Sequence, residues 1–321
     1  MNKRERDFKL VVIGGGTGIS VLLKGLKKHT SDLTAVVTVS DDGGSSGRLR
    51  TELGVLPPGD IRNCLVALAE TETLMDKVFQ HRFKTAGSLN GHNMGNLLLV
   101  AMAEITGDFI SAIKEVSKIL AVRGRVIPAT LEHVILGACM EDGRTVFGET
   151  AIRNYKGRIK QVFLVPSTCE PVPDTLQAIN EADAVILGPG SLYTSIIPNL
   201  LVKEIKEAIK ETKAVTFYIS NIMTESGETD DYTAADHVKV IIEHLGEQLI
   251  DYVIVNSGSI GEYRLKRYKE EGAVPVKADK DRIEKLGIKV IEADLVADDE
   301  LAWHDPDKLA AIIIDVLKSV V

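Results

Sequence analysis

Residues 9–20 read KLVVIGGGTGIS, and the fold is read outward from them. An apolar run, Leu10 to Ile13, meets Gly14, Gly15 and Gly16, then Thr17 and Gly18. Apolar residues then recur at Ile19, Leu22, Leu23 and Leu26, the spacing of one helix face. The pattern predicts strand, glycine turn, helix. Without a Cβ the turn lets backbone approach a bound group. The helix start aims free N–H groups and a positive dipole end at an anion. A phosphate cradle at the start of a nucleotide-binding sheet is the expectation. A dinucleotide G-x-G-x-x-G starting at Gly14 would need glycine where Ile19 stands, and no Gly-Lys-Ser/Thr run completes a P-loop.

The bulk numbers bound the class. The chain has 321 residues, 45% of them hydrophobic and 26% charged, as in an ordinary globular protein with a full core. Its net charge of −8 and its 5% aromatic content disfavour a nucleic-acid partner. Cys64, Cys139 and Cys169 form no C-x-x-C pair and suit no disulfide framework, so reduced thiols and a cytoplasmic setting are expected. The charged N-terminus lacks a signal-peptide core, and no apolar run reaches membrane-spanning length, so no membrane insertion is expected.

A second loop follows a predicted buried strand, Leu33 to Val39. It runs through Asp41, Asp42, Gly43, Gly44, Ser45 and Ser46. Ligands of open parallel sheets bind at such strand ends, where an acid can hold a ribose hydroxyl. Asp41 and Asp42 could instead hold Mg²⁺ beside a diphosphate, or form an Asx turn. Asp60, after the stiff Pro57-Pro58-Gly59, is read as the N-cap of a helix burying Ile61, Cys64, Leu65 and Leu68. Residues 71–83 and 109–120 read as further helices. The run from Gly91 to Asn96 is a third candidate loop, with Asn93 and Asn96 able to donate and accept at a nucleotide edge. His92 there reads as a hydrogen-bonding residue at a helix start.

Residues 123–166 change texture. Short β-rich pieces separated by Asp142-Gly143 and Lys156-Gly157 read as hairpins, forming an insertion or edge on a single domain spanning 1–321. A helix capped near Asp174 precedes a fourth loop, where strand Asp183–Leu187 runs into Gly188, Gly190, Ser191, Tyr193 and Thr194. Another strand, Val215 to Ile219, ends at Ser220 and Asn221. The last helix has Asp305 as N-cap and Pro306 at its first position. No nucleophile elbow, zinc-binding helix or kinase set occurs, and no catalytic residue is nominated.

Six motifs in order carry a resemblance. GGGTG at Gly14, DDGGSSG at Asp41, PPGDIRN at Pro57 to Asn63, HNMGN at His92, GPGSLYTS at Gly188 and SNIMT at Ser220 are similar to the YvcK, or gluconeogenesis factor, family. That family is related to the phospholactate transferase CofD. The resemblance implies a Rossmann-like three-layer α/β/α fold with a mostly parallel sheet. It implies a cytoplasmic regulatory factor for cell shape and peptidoglycan synthesis on gluconeogenic carbon sources. The implied ligand is a UDP-sugar, notably UDP-N-acetylglucosamine; NAD or another dinucleotide could share the cleft. The alternative is a CofD-like Mg²⁺-dependent transferase using a nucleoside diphosphate-linked donor. Asn63, from its motif, and Tyr263, which resembles a nucleotide-sugar position, join the expected ligand contacts. Trp303 stands where many relatives carry Arg before the His-Asp of the last helix, so the phosphate contact that the resemblance would put there is not carried over. Homo-oligomers and regulatory protein partners are compatible with all of this.

Overall fold

The computed structural model describes residues 7–70 and 74–321. The chain opens with β1 (Leu10–Gly14), α1 (Gly16–Leu26) and β2 (Leu33–Val37). Five helices follow: α2 (Gly44–Leu53), α3 (Gly59–Leu68), α4 (Leu74–Gln80), α5 (Met94–Thr106) and α6 (Phe109–Ile119). Then come β3 (Arg125–Pro128), β4 (Ile135–Met140), β5 (Thr145–Phe147), α7 (Glu149–Tyr155), β6 (Ile159–Val165), α8 (Pro173–Glu181) and β7 (Ala184–Leu187). A π-helical turn, Leu192–Ile196, leads to α9 (Ile197–Leu200), α10 (Lys203–Glu211) and β8 (Val215–Ile219). The remainder is α11 (Ala234–Leu245), β9 (Tyr252–Asn256), α12 (Glu262–Glu270), α13 (Lys280–Glu284), β10 (Lys289–Ala293) and α14 (Pro306–Val320). Residues 71–73 of the expected helix over 71–83 lie outside the described residues.

Seven strands form one sheet in the order β10-β9-β8-β7-β1-β2-β3. Every pairing in it is parallel. Helices therefore cover both faces, and the central strands are apolar on both sides. Alternation along β1 makes the point. Val11 and Ile13 join one core cluster with α8, α10 and α11, whereas Leu10 and Val12 join the other with α1, α3 and α14. This is the expected α/β/α layering. On the second face α14 lies directly on α1, since a Cβ on Gly25 would sit 2.0 Å from the Pro306 carbonyl oxygen.

The β-rich stretch is the expected edge and insertion, with one expected hairpin absent. β3 is the edge strand of the parallel sheet, and β4, β5 and β6 form a separate antiparallel sheet in the order β5-β4-β6. The Asp142-Gly143 turn does join a hairpin, β4 to β5. Lys156-Gly157 does not: α7 intervenes, and Lys156 is its left-handed C-cap with φ 54°. Seven residues burying only Ile152 are too few to show a helical period. Leu136, Ala138, Val162 and Leu164 point inward and share the first core cluster with β1 and β7. A bridge between Thr130 and Pro171 closes the neck of this segment.

Two caps also differ. Pro58, not Asp60, precedes α3, and Val172, not Asp174, precedes α8, so both acids sit inside their first turns. Asp305 caps α14 as expected, accepting from the backbone of Asp307 and Lys308 at 3.0 and 3.1 Å. Among the described residues no helix is long and apolar enough to cross a membrane.

Candidate functional site

Strand order reverses at the β1–β7 pair. From β1 the chain builds outward to β2 and β3, and from β7 to β8, β9 and β10. At such a switch point the loops beyond the carboxyl ends part and leave a crevice. A cleft of about 520 Å³ opens there, lined by the glycine loops of β1 and β7. Gly15 precedes α1 in an extended conformation and Gly16 turns into the helix with φ +65°, which glycine adopts without strain. Packing across the loops is tight: Gly188 N–H donates to the Ile13 carbonyl at 2.9 Å, and Asn199 Nδ2 donates to the Gly14 carbonyl at 3.1 Å.

Eight of the expected residues line this cleft together: Gly15, Gly16, Thr17, Gly18, Asp41, Gly190, Ser191 and Asn221. Asn221 Oδ1 accepts from the Gly190 N–H at 3.4 Å, and the Glu225 carboxylate accepts from Ser191 Oγ at 2.5 Å and Asn221 Nδ2 at 3.1 Å. Asp41 is fixed by the Gly43 N–H at 2.8 Å, and burial holds its carboxyl above the usual range.

Other expected residues stand behind the wall. Gly14 and Gly188 are backbone supports. Asp42 turns away from Asp41, its Oδ1 accepting from the backbone N and Oγ1 of Thr150 at 2.9 and 2.7 Å. Gly44 opens α2, and Ser46 Oγ accepts from the Gly59 N–H at 3.1 Å. The third loop forms a buried polar cluster of its own. Ser45 Oγ meets His92 Nδ1 at 3.1 Å, Asn93 caps α5, and Arg62 reaches Asn96 Oδ1 at 3.1 Å and Asn63 Oδ1 at 2.5 Å. Thr194 donates to Glu228 Oε1 at 3.1 Å. Tyr193 is 1% exposed in the core, its hydroxyl 2.9 Å from that of Tyr232. Tyr263 is 78% exposed on α12 and outside the cleft lining.

The cleft also holds residues not nominated from sequence: Asp60, Glu149, Arg153, Glu225, Tyr268 and Trp303, with Ser195 and His304. Four carboxyl groups thus face one arginine. Burial and the neighbouring Asp41 charge push Asp60 up to about 7, against the Gly16 N–H that it accepts. Burial, then the charges of Asp41 and Asp60, push Glu149 up to about 9. Glu225 and Glu228 are both raised, chiefly by burial. Trp303 and Tyr268 give one flank an aromatic surface beside Ile222 and Met223. Their segment is pinned: Ala302 N–H donates to the Tyr268 hydroxyl at 3.2 Å, and His304 Nε2 donates to the Ser220 carbonyl at 3.2 Å. Among the described residues no group of three or more His, Cys, Asp or Glu side chains is placed to hold a metal by itself.

Fold and loops define an open parallel α/β protein with a polar, glycine-walled crevice at its switch point. The chain belongs to the CofD family: residues 10–296 match the family described as 2-phospho-L-lactate transferase CofD. A gluconeogenesis factor from Bacillus subtilis is 51% identical over 311 residues, covering 97% of this chain and 98% of that protein. A gluconeogenesis factor from Halalkalibacterium halodurans is 48% identical over 307 residues, covering 95% of each chain. The crystal structure of a UPF0052-family protein from Bacillus halodurans superposes with a TM-score of 0.94 at 48% identity, covering 96% of this chain and 99% of that one. The resemblance carried by the six motifs and the α/β fold it implied are both borne out.

Proposed function

We propose that the chain is a gluconeogenesis factor that binds a UDP-sugar, UDP-N-acetylglucosamine in the first instance, together with Mg²⁺. The observation that carries this is the cleft's polarity: glycine loops at the centre, an aromatic flank at Trp303 and Tyr268. Loop backbone and the start of α1 suit a diphosphate. Trp303 and Tyr268 offer a stacking surface to a base. A diphosphate entering beside Asp41 and Asp60 meets like charge, and a divalent cation relieves it. Mg²⁺ takes one or two carboxylates and completes its shell with phosphate oxygens and water, so Asp41 and Asp60 fit it, while Asp42 is committed to Thr150. When bound, the cation would neutralise the diphosphate.

The sequence carries no nucleophile motif, which favours a sensor over a catalyst. Its proposed role is regulatory, supporting cell shape and peptidoglycan synthesis during growth on gluconeogenic carbon, in the cytoplasm. A transferase reading is favoured by the family match and by the Asp41–Asp60 pair; release of free nucleotide from a UDP-sugar or a lactyl-diphosphonucleoside donor would support it.

Trp303 is the only tryptophan in the chain, so its fluorescence reports this cleft alone. Titration with UDP-N-acetylglucosamine and Mg²⁺ is expected to quench it with micromolar affinity, about −8 kcal/mol. Absence of both quenching and calorimetric heat overturns the reading.

A further inference from the structure

Strand order gives the crevice two unlike ends. Trp303 and His304 follow β10, and His304 is tied to Ser220 beyond β8, so the aromatic flank lies on the β8–β10 side. Arg153 reaches the loop after β8 at Glu228, but Glu149, one turn earlier, lies toward β2, because Thr150 is tied to Asp42 just beyond that strand. The glycine loops of β1 and β7 separate Glu149 from Trp303. A diphosphate on those loops, with its base toward Trp303, points its far phosphate at α7.

That helix is supplied by the antiparallel segment, not by the main sheet. Its start is fixed in place by Asp42. Gly148, its cap, has φ +93°, and a Cβ there would lie 2.3 Å from Asp42 Oδ2. The Asp42 carboxylate therefore fills the space that a side chain at 148 would take.

The chemistry of this end suits the polar groups of a sugar. Glu149, pushed up to about 9, is a neutral acid at pH 7 that both donates and accepts, and sugar hydroxyls and an acetamido group do the same. The Glu149 side chain is 16% exposed and accepts no hydrogen bond from any described residue, and its nearest cation is Arg153 Nη1 at 4.0 Å. That arginine is already engaged, its Nε 3.5 Å from Glu228 Oε1. A ligand covering Glu149 without offering a hydrogen-bonding group leaves the carboxyl desolvated and unpaired, an expensive state. Sites of this kind discriminate strongly against analogues that lack the matching polar group.

We infer that α7 is the specificity element of the cleft, with Glu149 contacting the sugar joined to the diphosphate and Asp42 positioning the helix. This rests on the reading of the cleft as a nucleoside diphosphate–sugar site.

Calorimetry on the full chain with Mg²⁺ tests it, using UDP, UDP-glucose and UDP-N-acetylglucosamine as ligands. Wild-type protein is expected to bind a UDP-sugar at least about tenfold more tightly than UDP. Glu149→Ala is expected to shrink that preference to about twofold while holding UDP affinity within about twofold of wild type. Asp42→Ala is expected to lower the preference as well, and Asp42→Asn, which keeps the acceptor for Thr150, to restore it. Glu149→Gln, which preserves volume, guards against a folding defect and is expected to retain part of the preference. Equal weakening of UDP and UDP-sugar in Glu149→Ala, or no change in either, overturns the inference while leaving the cleft reading intact. Wild-type protein that binds none of the three ligands overturns both.

Discussion

Gly18 stands so close to Pro189 that a Cβ built on it would lie 2.3 Å from the Pro189 carbonyl oxygen. The obstacle is backbone, which cannot swing aside. The loops of β1 and β7 therefore hold their spacing only with glycine at 18. Gly18→Ala is expected to push them apart, lowering stability by about 1–3 kcal/mol. UDP-sugar affinity should fall at least about tenfold, since the displaced N–H groups no longer converge. Denaturant unfolding and calorimetry read the two effects.

Asp60 sets function against stability. Its carboxyl is buried beside Asp41, and nothing cationic hydrogen-bonds to it. Asp60→Asn keeps an acceptor for the Gly16 N–H and removes a repelled charge. The ligand-free variant should be more stable by about 1–3 kcal/mol at pH 8. Its Mg²⁺-dependent binding of UDP-sugar should drop sharply. A variant that binds as well as wild type would remove Asp60 from the proposed Mg²⁺ site.

His304 supplies an acid-sensitive contribution. Burial pushes its pKa down to about 4, against the hydrogen bond to Ser220. The unfolded chain holds this proton up to about pH 6.5, so it binds more protons than the native state between those values. Stability is fully present above about 6.5, falls as pH drops, and levels off below about 4, with a total near 3 kcal/mol. His304→Asn should flatten that part of the stability–pH curve, whatever its constant offset. Identical slopes in variant and wild type would exclude His304 as the source.

Tyr193 separates packing from binding. Tyr193→Phe loses the hydroxyl pair with Tyr232 and should cost about 1 kcal/mol. Nucleotide affinity should stay within about twofold, because the ring faces the core. A large loss of affinity with intact folding would place the ring at the ligand after all.

The strand-end glycine loops were legible because several glycines after an apolar run have few other uses. Tyr193 was misjudged for a local reason. It lies in a π-helical turn, whose i→i+5 bonding shifts the faces of the turn. Tyr193 goes inward and Ser195 lines the cleft. Tyr268 was missed for want of a pattern: α12 buries none of its residues, so no apolar stripe orients it. Glu149 and Arg153 could not be found locally, because the contact that brings α7 to the cleft joins Asp42 to a residue 108 positions away. Asp60 had the right neighbourhood in its motif but was assigned to the helix start it resembles.

The neck at Thr130 and Pro171 has a consequence for how this architecture can change. The chain leaves and re-enters through adjacent backbone: Thr130 bridges Pro171, and the Val172 N–H donates to the Ala129 carbonyl at 3.2 Å. Everything between is a graft with its own sheet, packed on the host core through Leu136, Val162 and Leu164, tied to Asp42 at Thr150, and touching the ligand cleft only through α7. No strand pairing of the seven-stranded sheet passes through it. Residues of α7 that face the cleft, and those on the exposed side of the graft, can therefore be exchanged while the glycine loops keep their spacing. One scaffold can then present the same phosphate cradle to different appended groups, with the two properties free to diverge independently.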